Sequence, residues 1–161
     1  MLIRSIIFYL LLGIWTIFMG IICVPYFFLH YRYLRKPVNI WILGIFKLLE
    51  YICKITYEIK GGKNIPEHSC LIASKHQSAF ETFALYYHIN NSIFIHKKQL
   101  FNIPIFGQYL KKSNMISIER KEGTSAMRKM LKETKKRISE GNSIIIFPEG
   151  TRKKPKDRPN Y

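Results

Sequence analysis

A histidine and a carboxylate stand five residues apart where a turn could aim both side chains at a substrate. His76 and Glu81 follow the apolar run Cys70–Ala73 and lie at the start of a predicted helix. Turns that join a strand to a helix hold side chains on a rigid base. A carboxylate beside a neutral imidazole fixes its tautomer and stabilises the imidazolium that forms. The pair is therefore a candidate general base.

The same residues also have a purely structural explanation. Ser78 and Glu81 fit the S-x-x-E pattern of a capping box, in which the carboxylate closes the first turn of a helix. His76 would then be an ordinary loop histidine. Taken alone, this stretch leaves both explanations open.

A second short motif, F-P-E-G-T-R, ends at Arg152 and follows the apolar run Ile144–Ile146. Pro148 would stop a buried strand at this point, and Gly150 would let the backbone approach a ligand closely. Glu149 supplies a hydrogen-bond acceptor and Arg152 a planar fork of donors. The motif thus places binding groups directly after a predicted strand, as the first motif does.

With these motifs the chain resembles the PlsC-type glycerolipid acyltransferases, which make phosphatidic acid from lysophosphatidic acid. That family carries an H-x-x-x-x-D motif, then a strand ending in arginine, then F-P-E-G-T-R. The corresponding stretches here are His76 to Glu81, Ile116 to Arg120 and Phe147 to Arg152, in the same order and at similar spacing. Most members have aspartate where this chain has Glu81, and some bacterial members resemble the glutamate variant.

The resemblance implies a direct transfer without an acyl-enzyme. His76, oriented by Glu81, would remove a proton from the acceptor hydroxyl, which attacks the thioester of an acyl-CoA or an acyl carrier protein. Arg120 would bind the phosphate of the acceptor, because a guanidinium is a bidentate donor that stays charged. No metal or cofactor is required by this reaction. The other substrate-binding residues that the resemblance implies are Glu149, Gly150, Thr151 and Arg152.

The charge of the chain restricts its partners without identifying them. A formal net charge of +16 fits an anionic membrane surface, nucleic acid or anionic substrates such as coenzyme A esters and lysophospholipids. We expect no nucleic-acid binding, because the chain lacks a recognition motif of that kind and has a hydrophobic N-terminus. The three cysteines are predicted to be buried thiols of a reducing compartment, with no zinc site.

The N-terminal part predicts a pair of membrane helices. The uncharged run Ser5–Leu29 is long enough to cross a bilayer core of roughly 30 Å, tilted or kinked near Pro25. Pro37 opens a second apolar segment, Val38–Cys53, predicted to lie in the interface or against the first helix; the alternative is a core helix of the soluble domain. The flanking basic residues place the catalytic domain on the cytoplasmic side of the inner membrane; they are Arg32, Arg35 and Lys36.

The rest of the chain alternates between strand and helix patterns, which favours an α/β fold. The run Cys70–Ser74 is fully apolar and is predicted to be a central strand. The resemblance implies a mixed sheet flanked by helices after the membrane helical pair. The other predicted elements are strands at Lys54–Lys60, Ser92–Ile95, Met115–Arg120 and Ser143–Phe147 and helices at Ala79–His88 and Gly123–Glu140.

We expect membrane helices at 1–53, a partial acyltransferase domain at 54–152 and a polar tail at 153–161. The domain is predicted to be incomplete, because family members continue with further strands and helices beyond the position of Arg152. Alternatives to the acylation of lysophosphatidic acid are therefore a truncated, catalytically impaired membrane protein of the same fold, or an acyltransferase for another lyso-lipid or for glycerol 3-phosphate.

Overall fold

The computed structural model describes residues 2–104, 106–119, 123–154 and 156. The chain forms two compact units, Met1–Gly62 and Lys63–Tyr161. The helices and strands, in chain order, are α1 (Leu2–Ile22), α2 (Tyr31–Leu48), β1 (Leu71–Ala73), α3 (Phe80–His88), β2 (Ser92–Lys97), α4 (Phe106–Lys112), β3 (Ile116–Ile118), α5 (Thr124–Ser139) and β4 (Ser143–Ile146).

In the first unit, α1 and α2 are joined by two indole hydrogen bonds. Trp15 Nε1 donates to the carbonyl of Trp41 at 2.9 Å, and Trp41 Nε1 donates to Thr16 Oγ1 at 3.2 Å. Most apolar side chains of α1 are nevertheless exposed. Among the described helices, α1 alone is long and apolar enough to cross a membrane. Its composition indicates membrane association, since so much exposed apolar surface is unfavourable in water.

The limits of these helices differ from the predicted ones at two prolines. α1 ends at Ile22, and Pro25 lies in the 3₁₀ turn Val24–Phe27, so the uncharged run is not one kinked helix. The prediction that Pro37 opens the second helix is wrong, because Pro37 lies inside α2. His30 caps that helix earlier, its Nδ1 accepting from the backbone N–H of Arg32 at 3.4 Å.

The predicted strand at Lys54–Lys60 does not form. Lys54 has a positive φ of 58° at the end of the π-helical turn Leu49–Cys53, and the residues after it adopt no regular structure. Tyr57 packs its ring on Phe46 of α2 at 4.9 Å. Tyr57 thus lies beside a helix, and no strand that the structure describes pairs with this segment.

The second unit contains a four-stranded sheet in the order β1-β4-β2-β3, and its three strand pairs are parallel. The prediction of an α/β fold is confirmed, although the resemblance implied a mixed sheet. The prediction that Cys70–Ser74 forms a central strand is wrong: β1 is an edge strand, with Leu71 58% exposed. The centre is β4, where Ile144 and Ile145 are fully buried on opposite faces.

One face of the sheet packs against α5. This face holds the buried core because α5 buries Ala126, Met130 and Thr134 against it, whereas Met127 and Leu131 remain exposed. Met130 of α5 contacts the strands there, while Tyr86 of α3 stacks on Phe94 on the other face, with ring centroids 6.4 Å apart. The buried residues of the α5 cluster are Ile93, Ile116, Met130 and Ile144.

Gly107, in the first turn of α4, cannot accept a side chain without movement of the backbone. An added Cβ would meet the carbonyl oxygen of Phe101, in the 3₁₀ helix Lys98–Asn102, well inside van der Waals contact. We therefore expect Gly107→Ala to lower the free energy of unfolding by about 1–3 kcal/mol. Denaturant unfolding in detergent measures this change. Gly13→Ala is the control, since no atom lies within 4 Å of its added Cβ; equal stability of both variants would contradict the close approach.

Candidate active site

The two motifs meet because their strands are neighbours. β1 and β4 are parallel and adjacent, so the loops after Ala73 and Ile146 both leave the sheet at the carboxyl ends of its strands. The Ser74 N–H donates to the carbonyl of Ile146 at 3.0 Å, which continues the pairing beyond β1. His76 follows two residues later. The strand order thus places the histidine loop beside the F-P-E-G-T-R turn.

His76 and Glu81 form the predicted pair. The imidazole Nδ1 lies 2.7 Å from Glu81 Oε1, and both side chains are largely buried, at 18% and 22% exposure. An ionised carboxylate can only accept, so Nδ1 carries the proton in this contact. The lone pair of the neutral ring is then on Nε2, which is the nitrogen available to take a proton from a hydroxyl.

Glu81 also closes the start of α3, as the capping-box pattern predicted. Its carboxylate accepts from the backbone N–H groups of Gln77 and Ser78, each at 2.9 Å, and from the hydroxyl of Ser78. Ser78 Oγ in turn accepts from the Phe80 N–H at 3.0 Å. The two explanations of this stretch are therefore compatible, since one carboxylate caps the helix and holds the imidazole.

These contacts keep the Glu81 carboxylate ionised. Burial raises the pKa of this carboxyl, but the hydrogen bonds from the hydroxyl and N–H of Ser78 and from His76 lower it more. Its pKa consequently lies below the ordinary value of 4.5. A negative charge thus persists beside the imidazole at neutral pH, where it favours the imidazolium that general-base catalysis forms.

Residues of the second motif and Lys153 after it contact both the backbone and the ring of His76. Glu149 Oε2 accepts from the His76 backbone N–H at 3.2 Å, and the Lys153 N–H donates to the His76 carbonyl at 2.8 Å. The Phe147 ring stacks on the imidazole, with centroids 4.2 Å apart and an interplanar angle of 23°. Backbone and ring of the histidine are both fixed by the turn after β4.

Three of the remaining predicted site residues, Gly150, Thr151 and Arg152, follow Glu149 in the turn after β4. Gly150 has a positive φ of 61° and donates its N–H to the Phe147 carbonyl at 2.9 Å, which closes the turn. Thr151 and Arg152 are exposed. No ion pair joins Arg152 to another residue that the structure describes. Arg120 lies outside the described residues.

The end of β3, which leads toward Arg120, is tied to the segment after β2. Glu119 Oε1 accepts from Gln99 Nε2 at 3.3 Å, and Lys98 Nζ lies 4.0 Å from Glu119 Oε2. Lys98 thus lies near the carboxylate of Glu119, just beyond the carboxyl end of β3. In the strand order, β3 and β1 are the two outer strands of the sheet.

Sequence reasoning missed the contacts that the F-P-E-G-T-R turn makes with His76. The motif was expected to contact substrate, and nothing in the sequence indicated that Glu149 and Phe147 contact the histidine itself. The described residues include no group of three or more histidine, cysteine or acidic side chains that could hold a metal ion. The three cysteines are free, with Cys23 buried and Cys53 and Cys70 half-buried.

Comparison with known proteins shows which family and which enzymes this chain resembles. A family model described as Acyltransferase matches residues 56–159. The 1-acyl-sn-glycerol-3-phosphate acyltransferase of Pseudomonas aeruginosa is 35% identical over 155 residues, which cover 93% of this chain and 59% of that protein. The enzyme of the same name from Helicobacter pylori is 39% identical over 85 residues, which cover 52% of this chain and 35% of that protein.

The fold is also found in a solved structure, the 1-acyl-sn-glycerophosphate acyltransferase PlsC of Thermotoga maritima. The TM-score is 0.72 at 24% identity, covering 94% of this chain and 61% of that one. The chain therefore spans about three fifths of the length of the Pseudomonas and Thermotoga proteins. The predicted family is confirmed by the family model, whose match over residues 56–159 covers more than half of the chain. This chain belongs to the acyltransferase family.

Proposed function

We propose that this chain transfers a fatty acyl group from acyl-CoA or acyl carrier protein to the free sn-2 hydroxyl of lysophosphatidic acid, giving phosphatidic acid. The observation that carries the proposal is the His76–Glu81 pair, 2.7 Å apart, enclosed by the turn that ends in Arg152. Several relatives are named 1-acyl-sn-glycerol-3-phosphate acyltransferase, which supports the same substrate.

The chemical step is a direct attack. His76 Nε2 takes the proton of the acceptor hydroxyl as its oxygen attacks the thioester carbonyl, and Glu81 stabilises the resulting imidazolium. Collapse of the tetrahedral intermediate expels the thiolate, which regains a proton from the imidazolium. Ser78 is not the nucleophile, because its hydroxyl donates to Glu81 and accepts from the Phe80 N–H. The proposed reaction needs no metal or cofactor beyond the acyl donor.

The oxyanion would be stabilised by a backbone N–H close to the start of α3. The N–H groups of Gln77 and Ser78 already donate to Glu81, and that of Phe80 donates to Ser78 Oγ. Ala79, between them, contributes the N–H that we assign to the oxyanion.

The phosphate of the acceptor is assigned to Arg120 and Arg152. Arg152 is exposed at the edge where His76 lies, and Gly150 and Thr151 before it allow close approach of the backbone. Arg120 lies outside the described residues, so its assignment rests on the resemblance of the motif order to that of the family. A guanidinium offers a phosphate two parallel donors and stays charged, which suits both arginines to this role.

Membrane association supplies the lipid substrate. We propose that α1 anchors the chain in the inner membrane and that the catalytic unit faces the cytoplasm. The apolar length of α1 supports the anchor, and the basic residues that follow it support the orientation. An enzyme held at the bilayer meets lysophosphatidic acid where that lipid resides.

The test is an assay of the purified chain in liposomes. We expect labelled phosphatidic acid to form from lysophosphatidic acid with acyl-CoA or with acyl carrier protein as donor, and faster than lysophosphatidic acid forms from glycerol 3-phosphate. Each donor and each acceptor is supplied separately. Absence of phosphatidic acid with both donors, in a preparation that is folded by circular dichroism, would reject the proposed activity for this chain.

A further inference from the structure

The backbone of His76 is held at both of its polar groups by the turn after β4. Its N–H donates to Glu149 Oε2 at 3.2 Å, and its carbonyl accepts from the Lys153 N–H at 2.8 Å. A residue whose peptide groups are both engaged by the same neighbouring loop cannot shift without breaking that loop's contacts. The position of His76 is therefore coupled to the conformation of residues 147–153.

The carboxylate of Glu149 reaches His76 because of the geometry of the turn. Gly150 closes the turn with its N–H on the Phe147 carbonyl, at a positive φ of 61°. Glu149, one residue earlier, is half-buried and points its Oε2 back toward the histidine loop. Phe147 adds its ring to the face of the imidazole and is itself stacked on Phe94 of β2, with centroids 5.9 Å apart.

Electrostatics argue against a direct contact of Glu149 with an acceptor phosphate. A carboxylate accepts hydrogen bonds and carries a negative charge, so it repels a phosphate oxygen. In contrast, a backbone N–H is a good donor to it, and charge-assisted bonds of this kind are stronger than neutral ones. The chemistry of Glu149 thus suits the histidine backbone better than it suits the anionic part of the substrate.

We propose that Glu149 is a positioning residue, which sets the location of the His76 imidazole through its backbone N–H and does not bind the phosphate headgroup. The inference rests on the proposed function, since it assigns to Glu149 a part in the same transfer. A catalytic base must lie within hydrogen-bond reach of the proton that it removes. Loss of the Glu149 contact would move the base while leaving the phosphate site intact.

Two substitutions of Glu149 distinguish a role in positioning His76 from a role in binding the phosphate headgroup. Glu149→Gln keeps an oxygen that accepts from the His76 N–H, so we expect kcat within about threefold of wild type. Glu149→Ala removes the acceptor, and we expect kcat to fall by about 10²-fold, the typical effect of a base misplaced by an ångström. In both variants KM for lysophosphatidic acid should stay within about twofold. Glu140→Ala, a change at the exposed end of α5, is the matched control with unchanged kinetics.

Hydrogen–deuterium exchange supplies a readout that does not depend on turnover. We expect Glu149→Ala to speed exchange in the peptide that contains His76 by at least tenfold, with Glu149→Gln and Glu140→Ala close to wild type. Faster exchange in that peptide alone supports positioning even if no acyl transfer is detected, in which case only the proposed activity fails. A raised KM with unchanged kcat in Glu149→Ala, or unchanged exchange at His76, would overturn the proposal.

Discussion

Replacing His76 with alanine is expected to lower the rate of acyl transfer to lysophosphatidic acid by about 10²–10⁴-fold, the usual contribution of a general base. In the proposed mechanism the His76 imidazole takes the hydroxyl proton. Its Nδ1 is bound to Glu81 and one of its faces is covered by Phe147, which leaves Nε2 for the substrate. Phosphatidic acid formed in liposomes from labelled acyl-CoA measures the change.

The matched control for this prediction is His68→Ala. His68 is an exposed histidine upstream of β1 and outside the site, so its loss should leave turnover unchanged. Flotation of both variants with liposomes should also match wild type, because α1 supplies the apolar surface for membrane association. Near-normal turnover of the His76→Ala protein would remove the general base from the mechanism.

Most elements of the second unit were predictable because they have strong local signals, whereas the short helix α4 was not predicted. Ile144–Ile146 is an uninterrupted apolar run shortly after a glycine turn, and the helix at Thr124–Ser139 has apolar residues at helical spacing. Their limits in the structure differ from the predicted ones by one or two residues. Such a pattern depends only on the residues of the element itself, so it can be recognised without knowing which elements pack beside it.

Strand order and pairing were not predictable in the same way. The apolar run at Leu71–Ala73 looks central by composition, but its place depends on which strands lie beside it, and β4 covers one side only. None of the described strands pairs with the alternating residues Ile55, Tyr57 and Ile59. The periodicity of apolar residues indicates which side chains of a segment could be buried. The strand with which that segment pairs depends on the rest of the chain.

The sequence predicted which residues belong to the candidate site, but it predicted only some of the contacts between them. The spacing of His76 and Glu81 indicated a pair, and the structure brings their side chains together. The direction of the Glu149 side chain depends on the parallel pairing of β1 with β4 and on the backbone of Gly150. A motif that follows a strand identifies the edge at which its residues lie, but it does not identify the atoms that they contact.

Glu81→Gln is expected to reduce the rate of transfer by about 10²–10⁴-fold while the protein remains folded. A carboxamide of the same size cannot supply the negative charge that stabilises the imidazolium, and its nitrogen cannot accept from Nδ1–H. Ser78→Ala is the control, because it removes one hydrogen bond to Glu81 without touching His76. It should lower stability by about 0.5–2 kcal/mol, as loss of a helix-start contact does, with a much smaller effect on rate.

The pH dependence of stability tests the same carboxylate independently of turnover. Its pKa is lowered in the folded chain, so its contribution is fully present above the ordinary value of 4.5 and is lost as pH falls through the folded pKa. The glutamine variant has no such group. Wild type should therefore melt at a higher temperature than Glu81→Gln at pH 7, and the difference should shrink as pH drops below about 4.5. A difference in Tm that is the same at pH 7 and pH 3 would mean that the ionised carboxylate does not hold this site together.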